Sequence, residues 1–153
     1  MHSLDKTDID LLKILQQNAS LTIKQIASKI GMSSTAVFER KRKLEKNKVI
    51  THYAAVIDPE KIGKNLLAYC YVSLKEHSDE KLRKFENEVI KIEEIMECNT
   101  VAGNADYILK IITENISKYN LILDKLSKLQ NISTTKSIIV LKQIKNTVHL
   151  RLS

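Results

Sequence analysis

The side chains with the clearest chemistry form a cationic run within residues 34–46, STAVFERKRKLEK. Four consecutive cations, Arg40 to Lys43, can bind phosphate groups, and an arginine fork also matches two acceptors on one edge of guanine. The candidates for packing are Val37, Phe38 and Leu44. A helix with so narrow an apolar stripe rests on a core by one edge and presents the rest outward, as a recognition helix does in the DNA major groove. The alternative is a cationic face that is simply solvated.

The residues before this run predict a helix and a tight turn. Thr22 can cap a helix, and Gln25, three positions later, completes a capping box. Apolar side chains then repeat at helical spacing, at Ile23, Ile26, Ala27 and Ile30. Gly31 follows where a left-handed C-cap favours glycine, and Ser33 or Ser34 can cap the next helix. The spacing predicts a helix-turn-helix, which favours the recognition helix over the solvated face.

A third helix is predicted upstream, capped by Asp5. Its apolar positions are Ile9, Leu12 and Leu15, with Leu11 and Ile14 beside them. Three helices of this size can enclose a core that none could form alone. We therefore predict a winged-type helix-turn-helix domain over residues 1–50. The residues expected at DNA are Lys24, Gln25, Ser33, Ser34, Thr35, Glu39, Arg40, Arg42 and Lys43. Of these, the hydroxyl residues would contact phosphates or base edges. The cations of the recognition helix would contact phosphates or guanines, and Lys24 and Gln25 would contact the DNA backbone.

Charge is distributed unevenly along the chain. Of the net +7, residues 1–50 contribute +5, with ten Lys/Arg against five Asp/Glu, and residues 65–153 contribute +2. A basic region of this kind attracts polyanions with salt-sensitive affinity. The 43% apolar content excludes general disorder. No apolar run approaches the roughly 20 residues that span a bilayer, and the N-terminus lacks signal-peptide features. A cytoplasmic protein without a membrane partner is expected.

After Ile50 the pattern changes to that of a second domain. Residues 51–64 are predicted as a linker strand (HYAAVID, 52–58) and a connector punctuated by Pro59 and Gly63. Residues 65–153 then show the order strand, helix, strand, strand, helix, strand. The predicted elements are 66–75, 79–92, 95–102, 106–113, a helix from about 117, and 135–144. This order is the ferredoxin-like βαββαβ arrangement, an antiparallel sheet with two helices on one face, so the fold class is α+β.

The first strand of this domain is apolar on both faces. One face carries Leu66, Ala68, Cys70, Val72 and Leu74, and the other carries Leu67, Tyr69 and Tyr71. An antiparallel sheet covered on one side should alternate apolar and polar residues, so something must cover the second face. We predict a homodimer through this half, which would present two recognition helices to two half-sites. The alternative is a cover from the HYAAVID segment and the C-terminal VHLRL stretch.

Other function classes find less support. The histidines, His2, His52, His77 and His149, show no metal-ligand or triad spacing, and the chain has no glycine-rich phosphate loop, so neither an enzyme nor a cofactor is expected. RNA binding on the sheet would need exposed aromatics, whereas Tyr69 and Tyr71 sit among aliphatics. An architectural DNA-binding protein with little sequence preference is a further alternative. Cys70 and Cys98 form no CxxC pair, and both are expected to be buried.

The combined motifs resemble the Lrp/AsnC family of bacterial and archaeal transcription regulators. The resemblance covers nearly the whole chain. It includes Leu4-Asp5-x-x-Asp8, Ile26-Ala27 before Gly31-x-Ser33, Val37, Arg40, Leu44-Glu45, Val49-Ile50 and Tyr53, then Glu97-Cys98 and Val101-Ala102-Gly103-x-x-Asp106-Tyr107. Each motif is weak alone, but their order and spacing are jointly specific. The resemblance implies a helix-turn-helix, a linker strand and a ferredoxin-like effector domain, and dimers that commonly assemble into octamers.

The resemblance also implies a free amino acid bound in the second domain, at interfaces between dimers. The residues that match the family's effector loop and the loop facing it are Gly103, Asn104, Asp106, Thr134, Thr135 and Ser137. A carboxylate suits an α-amino group, and turn amides with hydroxyls suit an α-carboxylate. Two positions depart from the family, since Lys48 and His52 stand where glycine is usual. Asn47 is expected to adopt the left-handed conformation in place of that glycine.

Overall fold

The computed structural model describes residues 4–153, and the chain folds as two compact units. The helical unit comprises the residues up to 56 together with 145–153, and the sheet unit comprises 57–144. Each unit has its own apolar core. The predicted division assigned 145–153 to the second domain, whereas the structure places this segment in the helical unit.

Three helices form the helical unit: α1 (Lys6–Gln17), α2 (Ile23–Ile30) and α3 (Ser34–Lys46). The Thr22–Gln25 capping box is present, since the Thr22 hydroxyl accepts from the Gln25 amide at 3.3 Å and the Gln25 side chain accepts from the Thr22 amide at 2.8 Å. Gly31 ends α2 in the left-handed conformation, with φ of 74°. Ser33, rather than Ser34, caps α3 and accepts from the Ala36 amide.

The core of the helical unit forms where the three helices meet. Its buried side chains are Leu11, Leu12, Leu15, Ile26, Ala27, Val37 and Leu44. Phe38, predicted as a packing residue, is instead 50% exposed. It follows Val37 by one residue, or about 100° of helical rotation, and therefore points away from the edge on which Val37 and Leu44 lie.

The end of α3 differs from the expectation in its detail. Lys48, not Asn47, adopts the left-handed conformation, with φ of 57°, while Asn47 has φ of −81°. The amides of Val49 and Ile50 then both donate to the Leu44 carbonyl, at 2.9 and 3.2 Å. A left-handed lysine occupies the position where the family usually has glycine. Residues 51–58, all within the described chain, make no strand pairing in this single chain.

The C-terminal segment is tied to α1 by Gln16. Its side-chain amide nitrogen donates to the Leu150 carbonyl at 3.1 Å, and its oxygen accepts from the Leu150 amide at 2.6 Å. Leu152 packs against the core of the helical unit. The Gln16 side-chain amide thus forms two hydrogen bonds with the Leu150 backbone, one as donor and one as acceptor, as a residue of a neighbouring β-strand would. The two residues lie 134 positions apart, so no local sequence signal marks the pairing.

The sheet unit has the predicted βαββαβ order. Its elements are β1 (Leu66–Leu74), α4 (Asp79–Val89), β2 (Ile95–Thr100), β3 (Tyr107–Thr113), α5 (Ile116–Ser127) and β4 (Ile132–Ile139), preceded by a 3-10 turn at Glu60–Ile62. The strands form one antiparallel sheet in the order β2-β3-β1-β4. The main boundary error is β4, which begins and ends earlier than the predicted 135–144. None of the helices within residues 4–153 combines the length and apolar character needed to cross a bilayer.

The two faces of this sheet differ in burial. The face toward the helices is closed, with Ala68, Cys70, Val72, Leu109 and Ile111 at 0% exposure. On the opposite face Leu67, Tyr69 and Tyr71 are only partly buried, and Ile138 is 45% exposed. The segments named as an alternative cover are themselves exposed, with Val56 at 73% and Val148 at 64%. This partly open apolar face is the one that the predicted homodimer would cover.

The two cysteines have different environments. Cys70 is buried as expected, but the expectation for Cys98 is wrong, because its side chain is exposed. Cys98 lies on β2, an edge strand bonded on one side only, to β3. A strand-like pattern predicts alternation between faces but does not reveal which strand lies at an edge.

Candidate nucleic-acid interface and ligand site

The side of α3 opposite its packed edge is open to solvent. Six exposed side chains point there, and we call them the α3 outer face: Thr35, Phe38, Glu39, Arg42, Lys43 and Lys46. Val37 and Leu44, each 1% exposed, fix the opposite edge in the core. Ser33 and Ser34 are exposed at the N-terminus of the same helix. The arrangement combines hydroxyls, cations, one carboxylate and one aromatic ring on a single convex surface, which suits a groove lined by phosphates and base edges.

The N-terminus of α2 contributes two further predicted residues, Lys24 and Gln25, both exposed. The oxygen of the Gln25 side chain is bonded to the amide and hydroxyl of Thr22, at 2.8 and 3.0 Å. A contact from Gln25 to DNA would therefore use its amide nitrogen. Helix N-termini present N–H donors and a positive dipole end, which favour a phosphate group.

Arg40 does not belong to the α3 outer face. Its Nη1 donates to Asp5 Oδ2 at 2.6 Å and to Asp8 Oδ1 at 2.7 Å, and its side chain is 32% exposed. These carboxylates raise the pKa of Arg40. The Asp8 amide, followed by Arg40, lowers the pKa of Asp5 below its usual value. Sequence reasoning identified Asp5 as a cap but missed both partners of Arg40, which lie more than 30 residues away.

Lys41 is also engaged within the helical unit. Its Nζ lies 4.8 Å from the centre of the Tyr53 ring and 3.7 Å from Glu45 Oε1. The Tyr53 hydroxyl donates to the same Glu45 oxygen at 2.8 Å. Burial, followed by the Glu45 carboxylate, raises the pKa of Tyr53. Of the four consecutive cations, Arg40 and Lys41 thus contact other residues of the helical unit, while Arg42 and Lys43 are exposed on the α3 outer face.

The predicted effector loop lies at the turn between β2 and β3. Gly103 has φ of 147°, a conformation that favours glycine, and Asn104 is exposed beside it. Asp106 follows, and its amide donates to the Val72 carbonyl at 2.9 Å. Asp106 Oδ2 accepts from the Leu74 amide at 2.6 Å, and Oδ1 lies 3.0 Å from His77 Nε2. The Leu74 amide, then His77, lowers the pKa of Asp106, so the group is a carboxylate near neutral pH.

The facing residues on β4 are brought to the same end of the sheet. Thr135 is the register partner of Val72, whose carbonyl accepts from Asp106 across β1, and Thr134 pairs with Ser73. Successive residues on a strand point to opposite faces, so Thr134 lies on the face opposite Thr135. Ser137 is further along the strand, and its hydroxyl accepts from the Tyr119 hydroxyl at 2.6 Å. The structure therefore groups most of the predicted ligand residues and gives Ser137 a partner within the sheet unit.

His77 is the residue at this site that sequence reasoning missed. Its contact with Asp106 spans 29 positions and follows from no spacing rule. Within residues 4–153, no cluster of three or more His, Cys, Asp or Glu side chains is arranged to hold a metal ion. The Asp106 carboxylate meets the His77 ring and the Leu74 amide here.

Comparison with known proteins identifies both units. A family model for the Lrp/AsnC ligand binding domain matches residues 67–150, and one for winged helix-turn-helix DNA-binding matches residues 4–51. The proline dehydrogenase transcriptional activator of Rhizobium radiobacter is 32% identical over 94% of this chain and 93% of its own length. The leucine-responsive regulatory protein of Escherichia coli (strain K12) is 30% identical over 96% and 90%.

Solved structures agree with these sequence matches. A transcriptional regulator of Neisseria meningitidis in complex with L-Met superposes with a TM-score of 0.93 at 31% identity, covering 97% of each chain. An AsnC family regulator of Agrobacterium tumefaciens gives a TM-score of 0.92 at 29% identity, again covering 97% of each chain. These findings confirm the resemblance that the sequence motifs indicated. The chain belongs to the Lrp/AsnC family of transcriptional regulators, which join a DNA-binding helix-turn-helix to a domain that binds an amino-acid ligand.

Proposed function

We propose that this regulator binds specific duplex sequences through the α3 outer face and that an amino acid bound to the sheet unit changes this binding. The observation that carries the proposal is the orientation of α3. Val37 and Leu44 are buried, while the hydroxyl and cationic residues of the opposite side are exposed. A helix held in this way can enter the major groove without losing its packing.

The proposed contacts divide by chemistry. Ser33, Ser34 and Thr35 lie at the start of α3, where hydroxyls reach phosphate oxygens or base edges. Arg42 pairs with guanine or phosphate, and Lys43 binds phosphate as a point charge. Other proposed contacts are Lys24 and Gln25 at the N-terminus of α2, and Glu39, whose carboxylate can accept from the cytosine amino group. Arg40 was predicted as a contact, but its two carboxylate partners favour a role within the protein.

Dimerisation is the proposed use of the open face of the sheet. Leu67, Tyr69, Tyr71 and Ile138 offer a partly exposed apolar surface, and a second copy of the chain would bury it. Two copies would present two α3 helices for a pseudo-palindromic site. We also propose that these dimers assemble into octamers, because the family resemblance implies it. This function needs no catalytic group and no cofactor, and it is exercised in the cytoplasm, where the DNA of a bacterium or archaeon lies.

The proposed effector is a free amino acid. Asp106 would pair with its α-amino group, and the turn at Gly103 and Asn104 would bind its α-carboxylate together with hydroxyls from one face of β4, either Thr134 or else Thr135 and Ser137. Both Asp106 oxygens already accept one hydrogen bond, and a carboxylate oxygen can accept a second. One relative is named leucine-responsive, and one solved relative holds L-Met. We therefore infer an amino acid with an apolar side chain.

Two measurements test this function. A thermal-shift screen of the twenty amino acids should identify a ligand that raises the melting temperature, because a ligand bound only to the native state stabilises it. Operator sequences selected from random duplexes should then bind with an affinity that this amino acid changes. Equal affinity for selected and random duplexes would favour an architectural role, and preference for single-stranded RNA would overturn the proposal.

A further inference from the structure

Asp5 and Asp8 divide their oxygens between a helix cap and Arg40. Asp5 Oδ1 accepts from the Asp8 amide at 2.8 Å, and Asp8 Oδ2 accepts from the Asp5 amide at 3.3 Å. The other oxygen of each carboxylate, Asp5 Oδ2 and Asp8 Oδ1, accepts from Arg40 Nη1. All four carboxylate oxygens therefore have a partner, and one nitrogen of α3 bridges both acids at the start of α1.

The burial of this group makes the bridge important. The Asp8 side chain is only 6% exposed, and Asp8 and Thr113 are the buried polar residues among those the structure describes. Burial of a carboxylate to this extent destabilises the folded state unless a cation and hydrogen bonds compensate its charge. Two carboxylates that share one site also repel each other, and the Arg40 guanidinium offsets this repulsion. Removing Arg40 would leave a buried charge without its partner.

The position of Arg40 on α3 relates the bridge to the α3 outer face. It lies three residues after Val37 and four before Leu44, beside the edge that packs on the core. It therefore extends this packed edge to the N-terminus of α1. Its neighbour Arg42, by contrast, is exposed on the outer face.

We infer that Arg40 is a positioning residue, which holds α3 against the capped start of α1 and so sets the orientation of the α3 outer face without contacting DNA. This inference rests on the proposed function, because its effect on DNA is measured as operator affinity. The contact itself acts within the helical unit and is measured separately as stability.

Four variants of the full-length protein test the inference: Arg40→Gln, the double variant of Arg40→Gln with Asp8→Asn, Arg40→Lys, and Arg42→Gln as the matched control. Arg40→Gln should lower the melting temperature by about 4 °C or more and weaken operator binding at least about fivefold. The salt dependence of binding should stay as in the parent, because no phosphate contact is lost. Arg42→Gln should reduce the slope of log K against log[salt] by about one per subunit without changing the melting temperature.

The double variant and a conservative one supply further readouts. Asp8→Asn together with Arg40→Gln should melt above Arg40→Gln alone, because the buried uncompensated charge is gone. Arg40→Lys should recover most of both losses, since a single nitrogen makes both bonds. An Arg40→Gln variant with parental melting temperature and a reduced salt slope would overturn the inference. An Arg42→Gln variant with a parental slope would count against the proposed outer face alone, while the melting data would still decide the role of Arg40.

Discussion

Asp106 carries the effector hypothesis, and Asp106→Asn removes its charge while keeping its size. The side chain is 27% exposed and accepts from the Leu74 amide at 2.6 Å. A hydrogen bond to a charged group contributes about 1.5–3 kcal/mol. If the ligand's amino group pairs with this carboxylate, the substitution should weaken effector binding about 10- to 150-fold. The lower end is expected, because the group is partly solvated and already shares its charge with the His77 ring.

Titration calorimetry with the amino acid identified by thermal shift measures this loss. Asp124→Asn is the matched control, since it removes an exposed carboxylate from α5. Asp106→Asn also weakens the bond to Leu74, so each protein is titrated well below its own melting temperature. Equal effector affinity in the parent and in Asp106→Asn would refute the assignment of the amino group to this carboxylate.

Three further predictions concern the tail, the α3 outer face and pH. Gln16→Ala should lower the free energy of unfolding by about 1–2 kcal/mol in urea titrations, because it removes two hydrogen bonds to Leu150, and deletion of residues 147–153 should cost at least as much. A parental midpoint would show that the tail contact does not stabilise the helical unit. Phe38, which is 50% exposed, should contact a thymine methyl group; replacing one operator thymine by deoxyuracil should weaken the parent about fourfold and leave Phe38→Ala unchanged. Equal sensitivity of both proteins would remove Phe38 from base reading. The pKa values of Asp5 and Asp106 lie below the usual 3.8, so their stabilisation is present above about pH 4 and is lost as the pH falls below it. When the melting temperature is measured from pH 7 to pH 2, it should fall below about pH 4, and this fall should be less steep in Asp106→Asn.

Much of the helical unit follows from local signals. Thr22 and Gln25 specify a capping box within four residues, and the left-handed turn at Gly31 requires only the conformational freedom of glycine. The order of strands and helices in the sheet unit likewise follows from apolar periodicity. These features depend on neighbours within one or two turns, and for that reason the sequence predicts them.

The features that were missed depend on contacts between distant residues. The partners of Arg40 lie 35 and 32 residues away, and Gln16 meets Leu150 across 134 residues. Phe38 and Cys98 were expected to be buried because apolar side chains usually pack. The rotation of α3 exposes Phe38, and the edge position of β2 exposes Cys98. Each outcome is set by the assembly of elements rather than by the elements themselves.

At the proposed ligand site, the family resemblance named the candidate residues but not the hydrogen bonds that they form. The resemblance placed Asp106 beside the turn, and the structure adds that its carboxylate accepts from Leu74 and lies against His77. It also shows Thr134 and Thr135 on opposite faces of β4, as strand alternation requires.

Site-specific photocrosslinking tests the central claim most directly. A photoreactive phenylalanine analogue replaces Thr35 on the α3 outer face, and a second protein carries it at Arg83, which is exposed on α4. With a selected operator duplex, position 35 should crosslink to bases within each half-site, and position 83 should not. Crosslinking at position 83, or none at position 35 while the operator stays bound, would contradict the assignment of α3 to the groove.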